Sequence, residues 1–171
     1  GLEGVTLDTL DASWVAELRR PYLACILGSS WDSKDWPEEG YRGLLESLGE
    51  ATVVLLSDKT KVAMAERLVG VATRAKVVNL AGQTSLAELV AVLGGARVCI
   101  GPDSGPGHIA GALGTPHVTL FGPTPAHRNA PRGSEDLALS SNVGCSPCKR
   151  RVCPGLGKVC MKLIPPEAVL S

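Results

Sequence analysis

An α/β domain built as a doubly wound parallel sheet is the fold class this sequence predicts, and three observations carry that expectation. Aromatic residues make up only 4% of the 171 residues, while Gly, Ala, Val and Leu abound, a composition suited to helices packed closely on a sheet. Short continuous apolar runs alternate with stretches whose apolar residues recur at helical spacing. Polar or glycine-containing breaks separate them. Strands alternating with helices of about a dozen residues imply right-handed crossovers, and hence parallel strands.

Taken in order, residues 22–27 form an apolar run ending at Gly28, as expected of a strand buried on both faces, and a polar loop over 29–36 follows. Pro37 suits a first helical position, Glu38 and Glu39 suit the positive end of the helix dipole, and Leu44, Leu45 and Leu48 give the buried stripe. Residues 52–56 form a second strand, 57–60 a polar break, and Met64, Leu68 and Val71 mark the next helix. After a third strand at 76–80, Thr84 or Ser85 can cap a helix with Glu88 in its first turn, its stripe being Leu86, Leu89, Val90 and Leu93; Gly94 and Gly95 end it. A strand at 97–100 leads into a helix capped by Asp103 or Ser104 and running to about residue 113, and 117–121 is the strand after it. Residues 1–20 lack an opening apolar strand and read as a lead-in or interdomain linker to one domain over 21–171. The start at Gly1 without Met suggests an excised domain.

The 17 basic and 17 acidic residues balance, so no net field attracts a polyanion, and nucleic acid is not an expected partner. No apolar stretch approaches the roughly 20 residues of a membrane helix. Cys25 and Cys99 lie inside apolar runs as small core residues.

Ligands of open α/β sheets bind beyond the carboxyl ends of the strands, which directs attention to the loops there. The first reads GSSWDSKDWPEEGY. The hydroxyls of Ser29 and Ser30 can donate to a diphosphate, and Lys34 can neutralise charge on a leaving group; the same residues also suit an ordinary polar turn, since the loop lacks the glycine pattern of a Walker A motif. Flanked by the polar Ser33 and Asp35, the Lys34 side chain is expected outside the core. In IGPDSGPGHIAGALGTP, Gly101 permits a tight turn, Asp103 and Ser104 start a helix, and Gly105 and Gly107 leave its N-terminus open to an anion. His108, one turn in, could donate to a phosphate or a ribose hydroxyl. Alternatively, Asp103 is only a helix cap and His108 only a buried imidazole.

Those two loops, the stretch NLAGQTSLAEL and the tail CSPCKRRVCPGLGKVCMKLIPPEAV together resemble, in order and spacing, the C-terminal half of ADP-heptose:lipopolysaccharide heptosyltransferases, glycosyltransferase family nine. The resemblance implies a Rossmann-like domain of a B-type glycosyltransferase fold that grips the nucleotide sugar. It implies transfer from ADP-heptose or a similar donor to a lipopolysaccharide core acceptor, through an N-terminal acceptor domain that carries the general base and is not matched here. By position, Ser29, Ser30 and Lys34 match the family's phosphate contacts; Asp103, Ser104, Gly105 and His108 match its loop and helix start around the diphosphate and sugar; and Thr84 matches a residue lining the adenine pocket. The family's acidic ribose contact has no clear match, because Asp58 comes early and Glu66 late after the second strand. The chain is expected in the cytoplasm, at most peripheral to the inner membrane.

In the tail, Cys145, Cys148, Cys153 and Cys160 contain one CxxC pair, so they suit either a structural zinc or free or paired thiols. No cofactor is expected for catalysis. Two other readings of the chain are a non-catalytic nucleotide-binding module and a dinucleotide-dependent oxidoreductase domain, the latter weakened because no GxGxxG follows the first strand.

Overall fold

The computed structural model describes residues 15, 18, 21–71, 74–155 and 157–171. The lead-in expected over 1–20 therefore lies almost wholly outside the described residues, although Val15 is buried against the domain core.

Six strands form one parallel sheet: β1 (Tyr22–Ile26), β2 (Thr52–Leu56), β3 (Lys76–Asn79), β4 (Val98–Pro102), β5 (His117–Phe121) and β6 (Ala138–Ser140), in the order β3-β2-β1-β4-β5-β6. Helices α1 (Glu38–Ser47), α2 (Val62–Val69), α3 (Leu86–Gly95) and α4 (Gly105–Ala112) make the crossovers, and α5 (Ala126–Asn129), α6 (Val159–Lys162) and α7 (Pro166–Leu170) follow β5.

Because successive side chains of a strand point to opposite faces, each apolar strand feeds two cores. Cys25, Leu27, Val53 and Leu55 pack with Tyr41, Leu44 and Leu45 of α1, Leu68 of α2, and Met161 and Ile164 of the tail. Tyr22, Ala24, Ile26, Val54, Leu56 and Cys99 pack with Val92 and Leu93 of α3 and Ala110 of α4. Burial of both faces explains why the strands read as continuous apolar runs. Cys25 and Cys99 are free thiols on neighbouring strands, and burial pushes each up to about 12.

The local signals differ from the sequence reading in several places, among them the α3 stripe, where Leu86 is 69% exposed and Val92 and Leu93 are the buried residues. Pro37 is the N-cap of α1 and the helix begins at Glu38. Gly101 lies inside β4, which continues to Pro102, so it makes no turn; a Cβ there would lie 2.8 Å from the Ile26 carbonyl oxygen, and glycine is what lets β1 and β4 approach. The pairing of the short β6 with β5 had no apolar run to announce it. By contrast, Ser85 does cap α3, in a reciprocal capping box with Glu88.

In α1, a Cβ on Gly40 would lie 2.6 Å from ring carbons Cδ2 and Cζ2 of the buried Trp36, whose indole N–H donates to the Ile164 carbonyl. Gly40→Ala gains about 1 kcal/mol of helix propensity, yet the clash should outweigh it and lower stability by about 1–3 kcal/mol. Urea unfolding measures this, and an unchanged or raised midpoint would show that the indole can move aside.

Candidate functional site

The strand order reverses between β1 and β4, so the loops leaving them diverge. With the loops after β2 and β3 they enclose a cleft of about 370 Å³. Of the residues expected to hold a donor, Ser29, Ser30, Thr84, Ser104 and Gly105 line this cleft. Lys34 and Asp103 form an ion pair, while Gly107 and His108 have other surroundings.

The loop after β1 is held by its own side chains. Gly28 has φ +92°, a left-handed conformation that favours glycine. Ser29 then donates its backbone N–H to Asp35 Oδ1 at 2.8 Å and its hydroxyl to the Trp31 carbonyl at 3.0 Å. The other oxygen of Asp35 pairs with Lys61 at the start of α2.

Lys34 departs from its expected solvated position. Its side chain is only 14% exposed, and its ammonium donates to Asp103 Oδ2 at 2.9 Å and lies 4.5 Å from the centre of the Trp31 ring. Its neighbours Ser33 and Asp35 are themselves buried. Asp103 does not cap α4: its Oδ2 also accepts from Thr124 Oγ1 at 2.7 Å and Asn129 Nδ2 at 3.1 Å. Burial alone would push the Asp103 carboxyl up, but these three hydrogen bonds and the Lys34 charge together hold it below the ordinary carboxylate value. His108, with a half-exposed side chain, has Nε2 3.6 Å from Asp103 Oδ1.

Ser104 is the N-cap of α4, yet its side chain makes no capping bond, and its buried hydroxyl oxygen has no partner among the described residues. Gly105 has open space where a Cβ would stand. Gly107 serves another purpose than opening the helix start: it is buried against the sheet, and a Cβ there would lie 2.7 Å from His117 Cε1. His117 is fully buried on β5, its Nδ1 sharing a hydrogen bond with Thr119 Oγ1 and its Nε2 without a partner among the described residues.

Residues that the sequence reading set aside or passed over also line the cleft. Asp58, which stood too early after β2 to be assigned, is in its wall; hydrogen bonds from the Thr60 hydroxyl and amide hold its carboxyl below the ordinary value. Lys61, Leu86 and Leu89 line it as well, with Leu86 69% exposed. The S-D-K-T-K string carried a signal for the first two, but only sheet order brings it beside Ser29.

The tail docks on the same β1 loop. Ser33 donates its N–H to the Arg151 carbonyl and its hydroxyl to the Arg150 carbonyl, and Lys158 pairs with Asp32 at 3.0 Å. Cys145, Cys148, Cys153 and Cys160 line one cavity of about 220 Å³ as free thiols. The zinc reading does not gain a ligand set here: among the described residues no group of three or more His, Cys, Asp or Glu side chains is arranged to hold a metal ion. Cys160 is drawn into the core beneath Gly122, whereas Cys145 and Cys148 remain exposed and Cys153 is half-buried.

The model of "Glycosyltransferase family 9 (heptosyltransferase)" matches residues 5–158. The chain belongs to glycosyltransferase family 9. Among curated family members, lipopolysaccharide heptosyltransferase 1 of Pseudomonas aeruginosa is 35% identical over 133 residues, which are 78% of this chain and 38% of that protein. The structure of E. coli ADP-heptose lps heptosyltransferase II superposes with a TM-score of 0.71 at 23% identity, covering 93% of this chain and 48% of the other. E. coli heptosyltransferase WaaC with ADP-2-deoxy-2-fluoro heptose gives 0.61 at 26% identity, covering 87% and 41%. The chain thus spans less than half the length of these relatives. No helix of the described residues is long and apolar enough to cross a membrane.

Burial, aided by the charge of His108 and opposed by that of Asp103, pushes the His117 imidazole down to about 4. The unfolded chain protonates this ring near pH 6.5. Stability present above that pH is therefore lost as pH falls toward 4, by roughly 3 kcal/mol for the full shift. Urea unfolding of His117→Asn at several pH values should show a smaller loss over this window than the parent shows. Equal losses would mean that His117 is not the titrating group.

Proposed function

We propose that this chain is the donor-binding half of a heptosyltransferase-like glycosyltransferase, holding ADP-heptose or a similar nucleotide sugar by its diphosphate in the switch-point cleft. The observation that carries the reading is the meeting in one cleft of the Ser29 and Ser30 loop with an α4 N-terminus whose Ser104 hydroxyl has no partner among the described residues. Hydroxyls and uncapped helix donors suit phosphate oxygens, which are poorly served by apolar pockets. Leu86 and Leu89, with Thr84, offer an apolar wall for a flat base, and Asp58 an acceptor for ribose hydroxyls. That WaaC has been seen with a fluorinated ADP-heptose supports the choice of ligand.

In the transfer, a lipopolysaccharide core hydroxyl attacks the anomeric carbon while the bond from that carbon to the diphosphate oxygen breaks. The hydroxyl proton passes to a general base, and the departing diphosphate takes the bonding pair and its negative charge. Lys34 has three N–H donors, so it can keep Asp103 and still donate to a phosphate oxygen as that charge grows. The base and the acceptor site belong, in this reading, to an acceptor half outside these 171 residues; the short span relative to the family members supports this. No cofactor enters the mechanism. The alternative of a nucleotide-binding module without catalysis uses the same cleft, and is separated by testing for transfer once an acceptor half is supplied.

Calorimetry should show ADP binding to this chain, and no transfer by the chain alone. Lys34→Ala should weaken ADP binding by about tenfold to a hundredfold. Because Asp103 then stays buried without its cation, it should also lower stability, by about 1–3 kcal/mol. A variant that binds ADP as tightly as the parent would remove Lys34 from the site, and transfer by these residues alone would overturn the division of labour.

A further inference from the structure

We infer that Lys61 is a second diphosphate-binding cation, approaching the Ser29–Ser30 loop from the β2 side while Lys34 approaches it from the β4 side; this rests on the donor reading above. Three observations converge on it. The Lys61 side chain lines the cleft together with Ser29, Ser30, Ser104 and Gly105, and is 27% exposed, so it is both reachable and held. Its stem crosses directly over Gly28, whose φ of +92° favours glycine: a Cβ there would stand 2.6 Å from Lys61 Cε and 3.2 Å from Cγ and would push the stem from its path. Its ammonium pairs with Asp35 Oδ2, while Asp35 Oδ1 accepts from the backbone N–H of Ser29. One carboxylate therefore fixes the cation and the Ser29 turn relative to each other.

Spare hydrogen-bonding capacity favours an anion as the ligand of the Lys61 ammonium. An ammonium has three N–H donors, and the Asp35 contact accounts for one. Asp35, moreover, is already satisfied on its other oxygen by Ser29, so it can share Lys61 with a phosphate without being left unpaired. Lys34 and Lys61 are balanced by Asp103 and Asp35, so the two cations flank the loop neutralised in place rather than repelling each other across it.

A purely structural Lys61, tying α2 to the loop, would support every ligand equally. A phosphate contact would distinguish ligands by their charge. Calorimetry of the 171-residue chain with ADP and with adenosine, at two salt concentrations, reads this difference. Lys61→Met should weaken ADP binding about tenfold to a hundredfold, leave adenosine binding within about twofold, and reduce the salt dependence of ADP binding. Lys61→Arg should restore most of the ADP affinity. The double variant K61M/D35N, which removes the buried charge along with its partner, keeps the test sound if K61M folds poorly, and it too should lose ADP affinity selectively. Equal losses for ADP and adenosine, or unchanged ADP binding, overturn the assignment while leaving the donor reading intact. A parent chain that binds no ADP overturns the donor reading, and Lys61 with it.

Discussion

Asp103 lies buried at the carboxyl end of β4, and one of its oxygens accepts from Lys34 of the β1 loop, from Thr124 after β5 and from Asn129 in α5. A buried carboxylate is costly unless it is fully partnered, and loss of one partner leaves the others around an undercompensated charge. The three segments are consequently linked: none can drift without exposing the rest to that cost. The position of Lys34 is thus a property of half the sheet edge rather than of its own loop.

Lys34 and Asp35 are neighbours in sequence but are drawn to opposite sides. Lys34 goes to Asp103 on β4, and Asp35 goes to Lys61 at the start of α2. The loop is stretched between two anchors on either side of the switch point, with Gly28 supplying the left-handed conformation at its beginning and the tail carbonyls of Arg150 and Arg151 holding Ser33 from outside. Groups fixed this way before a ligand arrives lose little freedom on binding. The cysteine-rich tail contributes to that rigidity by its backbone, whatever chemistry its thiols have.

The parallel sheet was legible because burial on both faces writes itself as apolar runs, and the Ser85–Glu88 box because capping is local. The candidate site was legible only in outline. That Ser29, Ser30 and Ser104 share a cleft follows from strand ends and loop chemistry, but Asp103 looked like a cap because its partners are 69 residues before it and 21 and 26 after. Lys34 looked solvated because its polar neighbours are buried for the same non-local reason. Asp58 was left unassigned and Lys61 passed over because the order of strands, not their spacing along the chain, decides what stands beside Ser29. The reason for Gly107 lay in His117, across the helix–sheet contact, where no periodicity reports it. In the tail, spacing suited either a zinc or free or paired thiols, and the four cysteines line one cavity as free thiols.

Cys25 and Cys99 sit on hydrogen-bonded neighbours, where Cys99 is in register with Ala24 and Cys25 with Ile100. That offset of one residue sends the two sulfurs into opposite cores. A disulfide needs its two Cβ atoms within about 4.5 Å and turned toward each other, which a pleated pair so offset does not offer. The sheet acts as a partition between them: an oxidant that could cross-link two thiols on one face finds here a pair it cannot join, and the alternation of side chains along the strands is enough to keep the two sulfurs apart.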